Sequence, residues 1–233
     1  MSRLAIFVAG THTDVGKTHV ACALIAAAQA AGLTVDALKP AVSGFDGADA
    51  AASDPGRLLA ALGRPSTPAA IEAISPWRLR APLAPPLAAR LEGRPLALGD
   101  ITRFCRDQIA ARDVDLMLVE GAGGIMSPIA EGATCLDLIA ALSLPVLLVG
   151  GSYLGAISHL LTALEVLSVR SVPVRAVVLS ESMAPAPDFG QTMEMIAAFI
   201  GRVPLIAAPR DGAADWSRAL LTYARRETSE PAP

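Results

Sequence analysis

Short, mainly apolar runs alternate along this chain with longer stretches whose apolar positions recur every three to four residues. The runs Leu4–Ala9, Thr34–Lys39, Asp115–Val119, Pro145–Val149, Val174–Leu179 and Val203–Ala207 have the length and continuity of strands buried on both faces. Between them, His19–Ala31, Arg57–Leu62, Pro86–Glu92, Ile101–Arg112, Thr134–Leu142, Gly155–Val169, Asp188–Ile200 and Asp215–Arg225 read as helices. In 101–112, for example, Ile101, Phe104, Cys105, Gln108 and Ile109 share one face. Residues 41–56, with Gly44, Gly47, Pro55 and Gly56, read as a mobile loop. Residues 63–100 hold much of the proline, with Ser75-Pro76-Trp77 and Ala81-Pro82 extended or turning.

Apolar strands alternating with helices predict a doubly wound α/β fold of the P-loop NTPase type. Its mainly parallel sheet carries helices on both faces. Residues 1–225 are expected to form one domain, with 226–233 a frayed, polar, Pro-ended tail. In such folds ligands bind beyond the carboxyl ends of the strands, so candidate chemistry is sought there.

Composition narrows the picture. The 233 residues are 53% apolar but only 4% aromatic, so the core must be built from Ala, Leu, Val and Ile. A net charge of −3 without a long basic run argues against nucleic acid as the main partner. Cys22, Cys105 and Cys135 are scattered and form no metal or disulfide pattern, which suits a reducing cytoplasm. The first strand starts so close to Met1 that no secretory signal is expected, and no run suits a membrane span.

The strongest chemical signal is Gly10–Thr18, Gly-Thr-His-Thr-Asp-Val-Gly-Lys-Thr, between a strand and a helix. That is the context of a phosphate-binding loop. The first N–H groups of the helix face the loop, Gly16 permits close backbone approach, Lys17 suits the outer phosphates and Thr18 suits Mg²⁺. The leading glycine stands at 10 rather than 11, so the loop is one residue longer than the usual spacing.

Other strand ends add candidates. Lys39 closes the second strand beside the loop, where it either reaches a transferred phosphate or lies on the surface. Glu120 closes 115–119 and either holds Mg²⁺ or sits solvated in a tight turn. Gly121, Gly123 and Gly124 follow it. Asp46, Asp49 and Asp54 compete as loop carboxylates for the same metal. His12 touches phosphate or only solvent. The N–H groups of Ala156, Ile157 and Ser158 bind a carboxylate or are capped by Ser152 or water. Trp77 covers an apolar substrate chain or packs in the core.

Several stretches together resemble the dethiobiotin synthetase family. They are 10–18, Lys-Pro-Ala-Val-Ser-Gly at 39–44, Ser-Pro-Trp at 75–77, Glu-Gly-Arg-Pro at 92–95 and Val-Glu-Gly-Ala-Gly-Gly-Ile-Met-Ser-Pro at 119–128. Leu-Pro-Val-Leu-Leu-Val at 144–149 and Leu-Gly-Ala-Ile-Ser-His at 154–159 extend the likeness, which covers most of residues 3–210. The resemblance implies an ATP- and Mg²⁺-dependent cyclo-ligase that joins CO₂ (or bicarbonate) and 7,8-diaminononanoate through a carbamate and a carbamic-phosphoric anhydride. It implies Thr18, Asp54 and Glu120 as metal ligands, and Lys17, Lys39 and Thr11 as catalytic groups. Ser43 and Ser127 would meet the diamine end or its carbamate. Nucleotide contacts would come from Asp14, Val15, Gly16, Lys17, Thr18, His19, Asp54, Glu120, Gly121, Ala122, Gly123, Ser180, Pro209, Arg210 and Asp211. The family is homodimeric, which implies a substrate carboxylate held by Gly155, Ala156, Ile157 and Ser158 of a partner subunit.

The chain departs from the family's pattern at three places. Ser180-Glu181-Ser182 stands where Asn commonly reads the adenine, Tyr153 where Lys is common, and Asp14 where Glu is frequent. Ser makes fewer amide-like contacts to a purine edge, which predicts weak base selectivity. A competing reading is a partition- or division-type switch ATPase of the same fold. Such proteins usually place a second lysine early in the loop and add a basic terminal helix. Here Lys17 is the loop's only lysine, and Glu227 and Glu230 lie in the tail.

Overall fold

A computed structural model describes residues 3–183, 187–210 and 215–226. In chain order the elements are β1 Leu4–Gly10, α1 Lys17–Ala30, β2 Val35–Leu38, β3 Ala41–Ser43, α2 Asp54–Ala61, α3 Pro68–Ile74, β4 Trp77–Leu79, α4 Pro85–Leu91 and α5 Leu98–Ala111. There follow β5 Leu116–Glu120, β6 Pro128–Ala130, β7 Ala133–Thr134, α6 Cys135–Leu142, β8 Val146–Gly151, α7 Ala156–Val169, β9 Val174–Ser180, α8 Phe189–Ala197, β10 Leu205–Ala208 and α9 Asp215–Arg225.

The main sheet has six parallel strands in the order β10-β9-β8-β1-β5-β2. All six sequence-predicted strands are in it, and it is doubly wound. β1 is central: Ile6, Phe7, Val8 and Ala9 have no exposed surface, as continuous apolar strands require when both faces are covered. Small side chains let α1 lie close, with Val20, Ala21, Leu24 and Ala28 fully buried. The loop after β1 therefore leaves the middle of the sheet, between the loops of β5 and β8. Among the described residues, no helix is long and apolar enough to cross a membrane.

Residues 41–56 correct the expectation of a loop. Ala41–Ser43 pairs in parallel with Trp77–Leu79 as a small second sheet, and Gly47–Asp49 forms a 3-10 turn. α2 starts at Asp54, three residues before the predicted Arg57, because Ser53 Oγ caps Gly56 N at 3.2 Å and Pro55 suits the first turn. The Pro-rich stretch also hides α3, capped by Thr67 with Pro68 in its first turn. The β6–β7 pair was not expected either. α8 ends at Ala197 rather than Ile200, and β10 runs Leu205–Ala208 rather than 203–207. Asp211 and residues 227–233 lie outside the described residues.

Candidate functional site

The loop after β1 is pinned on both sides. Thr11 N donates to Val149 O at 2.9 Å, tying it to β8. The turn after β5 presses against it so closely that a Cβ on Gly124 would stand 2.7 Å from Thr11 O. Gly16 has φ +93°, the left-handed conformation that glycine adopts without strain, and the helix begins one residue later. α1 has no side-chain N-cap, so no side chain competes for its first N–H groups.

The loop forms the floor of a cleft of about 1070 Å³. Asp14, Val15, Gly16, Lys17, Thr18 and His19 line it, together with Lys39, Ser43 and Asp54. Ala122, Gly123 and Ser127 form another wall, and Ser180, Glu181 and Arg210 close the far end. Most sequence-predicted positions are thus brought together. Thr11, Glu120 and Gly121 lie just beneath, and Pro209 is half-buried beside Arg210. Gly155, Ala156, Ile157 and Ser158 do not line this cleft.

Beneath the floor lies a compact charged cluster. Lys39 is 2% exposed rather than a surface lysine, and Glu120 is 1% exposed rather than solvated. Lys39 Nζ lies 2.6 Å from Glu120 Oε1 and 2.9 Å from Asp54 Oδ2, and donates to Gly121 O at 2.9 Å. Thr18 Oγ1 donates to Glu120 Oε1 at 2.8 Å. Burial alone would lower the Lys39 ammonium, but Glu120 and Asp54 outweigh it and hold it above the ordinary lysine value. Burial works against the Asp54 carboxylate as well, yet Lys39 beside it keeps it below the usual range. Lys17, whose Nζ donates to His12 O at 3.0 Å, is pulled down by burial and then by Lys39.

Among the described residues, Glu120 Oε2 and Ser43 Oγ are buried here without a hydrogen-bond partner, and buried Thr11 Oγ1 has the Tyr153 hydroxyl nearby. Orphaned buried oxygens are costly and rare, and at a cleft they mark places prepared for a ligand. Thr18, Asp54 and Glu120 form a hard oxygen set of the kind a Mg²⁺ ion takes, and the free Glu120 oxygen suits that fit.

Several alternatives resolve. Asp54 reaches the cluster, whereas Asp46 caps the 3-10 turn through Ala48 N at 2.9 Å and Asp49 is exposed. His12 is exposed and does not line the cleft: its Nδ1 lies 2.9 Å from Thr13 O, and its ring stacks on His159. Tyr153 Oη meets His159 Nδ1 at 2.7 Å. Ser152 does not cap α7; Ser152 and Ser182 exchange reciprocal N–H···Oγ bonds of 2.9 Å that clamp the ends of β8 and β9. Trp77 is half-buried and packs edge-on against Phe104 at the margin of the core. Ser180 Oγ lies against the phosphate loop, 2.5 Å from where a Gly16 Cβ would be. At the far end, His19 tilts against Trp216 at 5.7 Å, and burial, then Arg57 and Arg210, lower its imidazole.

Sequence reasoning missed one signal. The chain has only two lysines, Lys17 and Lys39, against seventeen arginines. Both lysines are buried in this cluster. Both compact, rotatable ammonium groups stand at the phosphate loop, while the chain's seventeen arginines supply guanidinium groups elsewhere.

A phosphate loop at the carboxyl end of the central strand of a parallel sheet defines a nucleotide-dependent enzyme of the P-loop α/β class. A family model described as an AAA domain matches residues 4–211. The signal recognition particle receptor FtsY from Elizabethkingia anophelis shares the fold, with a TM-score of 0.51 at 14% identity. That match covers 96% of this chain and 65% of the FtsY chain. Curated ATP-dependent dethiobiotin synthetases are far more similar. The Phenylobacterium zucineum protein is 58% identical over 215 residues, 92% of each chain. The Caulobacter vibrioides protein is 57% identical over 217 residues, 93% of this chain and 96% of its own. The Methylobacterium nodulans protein is 52% identical over 187 residues, 78% and 83% of the two chains. The chain belongs to the dethiobiotin synthetase family, and it is a cyclo-ligase.

Proposed function

We propose that the chain closes the cyclic urea of dethiobiotin from 7,8-diaminononanoate, CO₂ and ATP, releasing ADP and phosphate. The observation that carries this is the pairing of both lysines with the buried Thr11 and Ser43 hydroxyl oxygens at one phosphate loop. One diamine nitrogen bonds to CO₂ and loses a proton, giving a carbamate. A carbamate oxygen then takes the γ-phosphoryl group, and ADP leaves. The second amine attacks the carbonyl carbon of the mixed anhydride, expels phosphate and gives up a proton.

The obstacle is electrostatic, since carbamate and γ-phosphate are both anions and must meet. Lys17 and the N–H groups at the start of α1 serve the β- and γ-phosphates. Lys39, turned from Asp54, bridges the two anions, and Thr11 and Ser43 donate to the carbamate. Ser127 Oγ accepts from Gly124 N at 2.8 Å, which orients its hydroxyl at the diamine end. Thr18, Asp54 and Glu120 would hold Mg²⁺, which supplies charge neutralisation of the ATP phosphates when bound. His19, Ser180, Pro209 and Arg210 surround the base and ribose. The family resemblance implies a homodimer in which Gly155–Ser158, which stand outside the chain's own cleft, meet the carboxylate of the substrate bound to the second subunit. The enzyme works in the cytoplasm, and the relatives' names favour synthetase over switch ATPase.

The test combines purified protein with diamine, bicarbonate, Mg²⁺ and each nucleoside triphosphate, and measures the cyclic urea. Product is expected, and Lys39→Ala is expected to lower turnover at least ~100-fold. No product with any nucleotide overturns the proposal; near-normal turnover in the variant removes Lys39 from the mechanism.

A further inference from the structure

The Lys39 ammonium has three N–H donors. All three meet oxygens within 3 Å, from Glu120, Asp54 and Gly121. Two of those oxygens belong to the carboxylates read above as metal ligands, so Lys39 and a divalent cation compete for the same atoms. Charge sharpens the competition. Asp54 and Glu120 are balanced by Lys39 and Lys17, and all of these but Asp54 are buried. A dication entering beside Lys39 would leave two uncompensated positive charges there. Phosphates change the balance, since they compensate the dication and offer the ammonium new acceptors. The hold on Lys39 is uneven: the Asp54 side chain is 38% exposed and that of Glu120 1%. Asp54 is therefore the side on which Lys39 lets go.

We propose that Lys39 is a resident counter-ion that closes the cation site, so that a divalent ion binds firmly only together with nucleotide. This rests on the assignment of Thr18, Asp54 and Glu120 as the metal ligands. The same side chain then has two stations, one between the carboxylates and one between the reacting anions. Release of Lys39 toward the phosphates and opening of the ion's seat are a single event.

The chain's two lysines make the test direct, because ¹⁵N-lysine labelling gives only two side-chain signals. In wild-type protein, Mg²⁺ alone is expected to leave the Lys39 Nζ resonance in place, and Mg²⁺ with a non-hydrolysable ATP analogue to shift it. Mn²⁺ binding followed by electron paramagnetic resonance gives the second readout. Lys39→Met is expected to bind Mn²⁺ without nucleotide at least ~10-fold more tightly than wild type. Lys39→Gln replaces it if the first variant does not fold. Equal Mn²⁺ affinity in wild type with and without nucleotide, or a Lys39 signal displaced by Mg²⁺ alone, overturns the proposal. A separate control addresses the ligand assignment. If Asp54→Asn and Glu120→Gln leave Mn²⁺ affinity of the nucleotide complex unchanged, that assignment falls, whatever Lys39 does.

Discussion

Asp36 sits inside β2, three residues before Lys39, and two arginines converge on it. Arg64 Nη1 reaches Oδ1 and Oδ2 at 3.0 Å each, and Arg112 Nη1 lies 2.9 Å from Oδ2. Oδ1 also accepts from Ala37 N at 2.8 Å. Asp36→Asn keeps that last acceptor and the shape but removes the charge. Arg64 has a side chain 45% exposed, so losing its pair costs at most about 1 kcal/mol. Arg112 is 16% exposed; burial pulls its guanidinium below the usual arginine value, and Asp36 opposes that. Its head is also held by Ala73 O at 3.1 Å and Gln108 Oε1 at 2.7 Å, so it does not swing freely into water. Leaving it unpaired costs about 2–3 kcal/mol, below the 3–5 kcal/mol of a fully buried broken pair. The expected loss is about 3 kcal/mol, a drop in Tm of roughly 6–12 °C at this chain length. Urea denaturation followed by far-UV circular dichroism measures it. Asp36→Leu with Arg112→Leu removes both buried ends and is expected to recover at least half, since apolar replacement of a buried pair is often neutral. A single variant within about 0.5 kcal/mol of wild type refutes the reasoning. So does a double variant no more stable than the single.

Other perturbations read other parts of the molecule. Gly16→Ala forces a side chain into φ +93° and against Ser180 Oγ, and is expected to weaken nucleotide binding at least ~10-fold by calorimetry. Adding Ser180→Ala relieves the clash but not the backbone, so only partial recovery is expected; unchanged affinity in Gly16→Ala would contradict this. Because Ser180 at the end of β9 lies against the phosphate loop and lacks an amide, kcat/KM for ATP, GTP, CTP and UTP is expected to agree within about tenfold. A strong ATP preference would show that the base is read elsewhere. Burial pushes Cys22 and Cys135 to about 11 and Cys105 to about 12, so the native protein at pH 8 is expected to leave Ellman's reagent uncoloured. All three thiols should titrate in urea, and one fast-reacting native thiol would overturn that.

The main sheet was legible because each of its strands is a short, mainly apolar run ended by Gly, Pro or a polar group. The phosphate loop was legible for a related reason: its spacing carries chemistry that few other sequences need. Lys39, Asp54 and Glu120 became a constellation by family resemblance; spacing alone left Lys39 open between surface and site, and left Asp54 level with Asp46 and Asp49. Only folding showed that Ser53 and Pro55 start a helix at Asp54, which turns a loop carboxylate inward. The three-residue register of β3 against β4 was illegible because strands of three residues leave no periodicity to read. Ser152 and Ser182 lie thirty positions apart, and nothing local in either predicts that they complete each other's hydrogen bonds.

Placing both lysines beneath the cleft has a consequence for handling the protein. Its outer surface carries guanidinium groups but no side-chain amine. Amine-directed crosslinkers, dyes and activated resins will therefore find no surface lysine, and they reach Lys17 and Lys39 only through the cleft. Whatever slow inactivation such reagents cause becomes a direct count of how often the cleft admits them, and bound nucleotide should silence it.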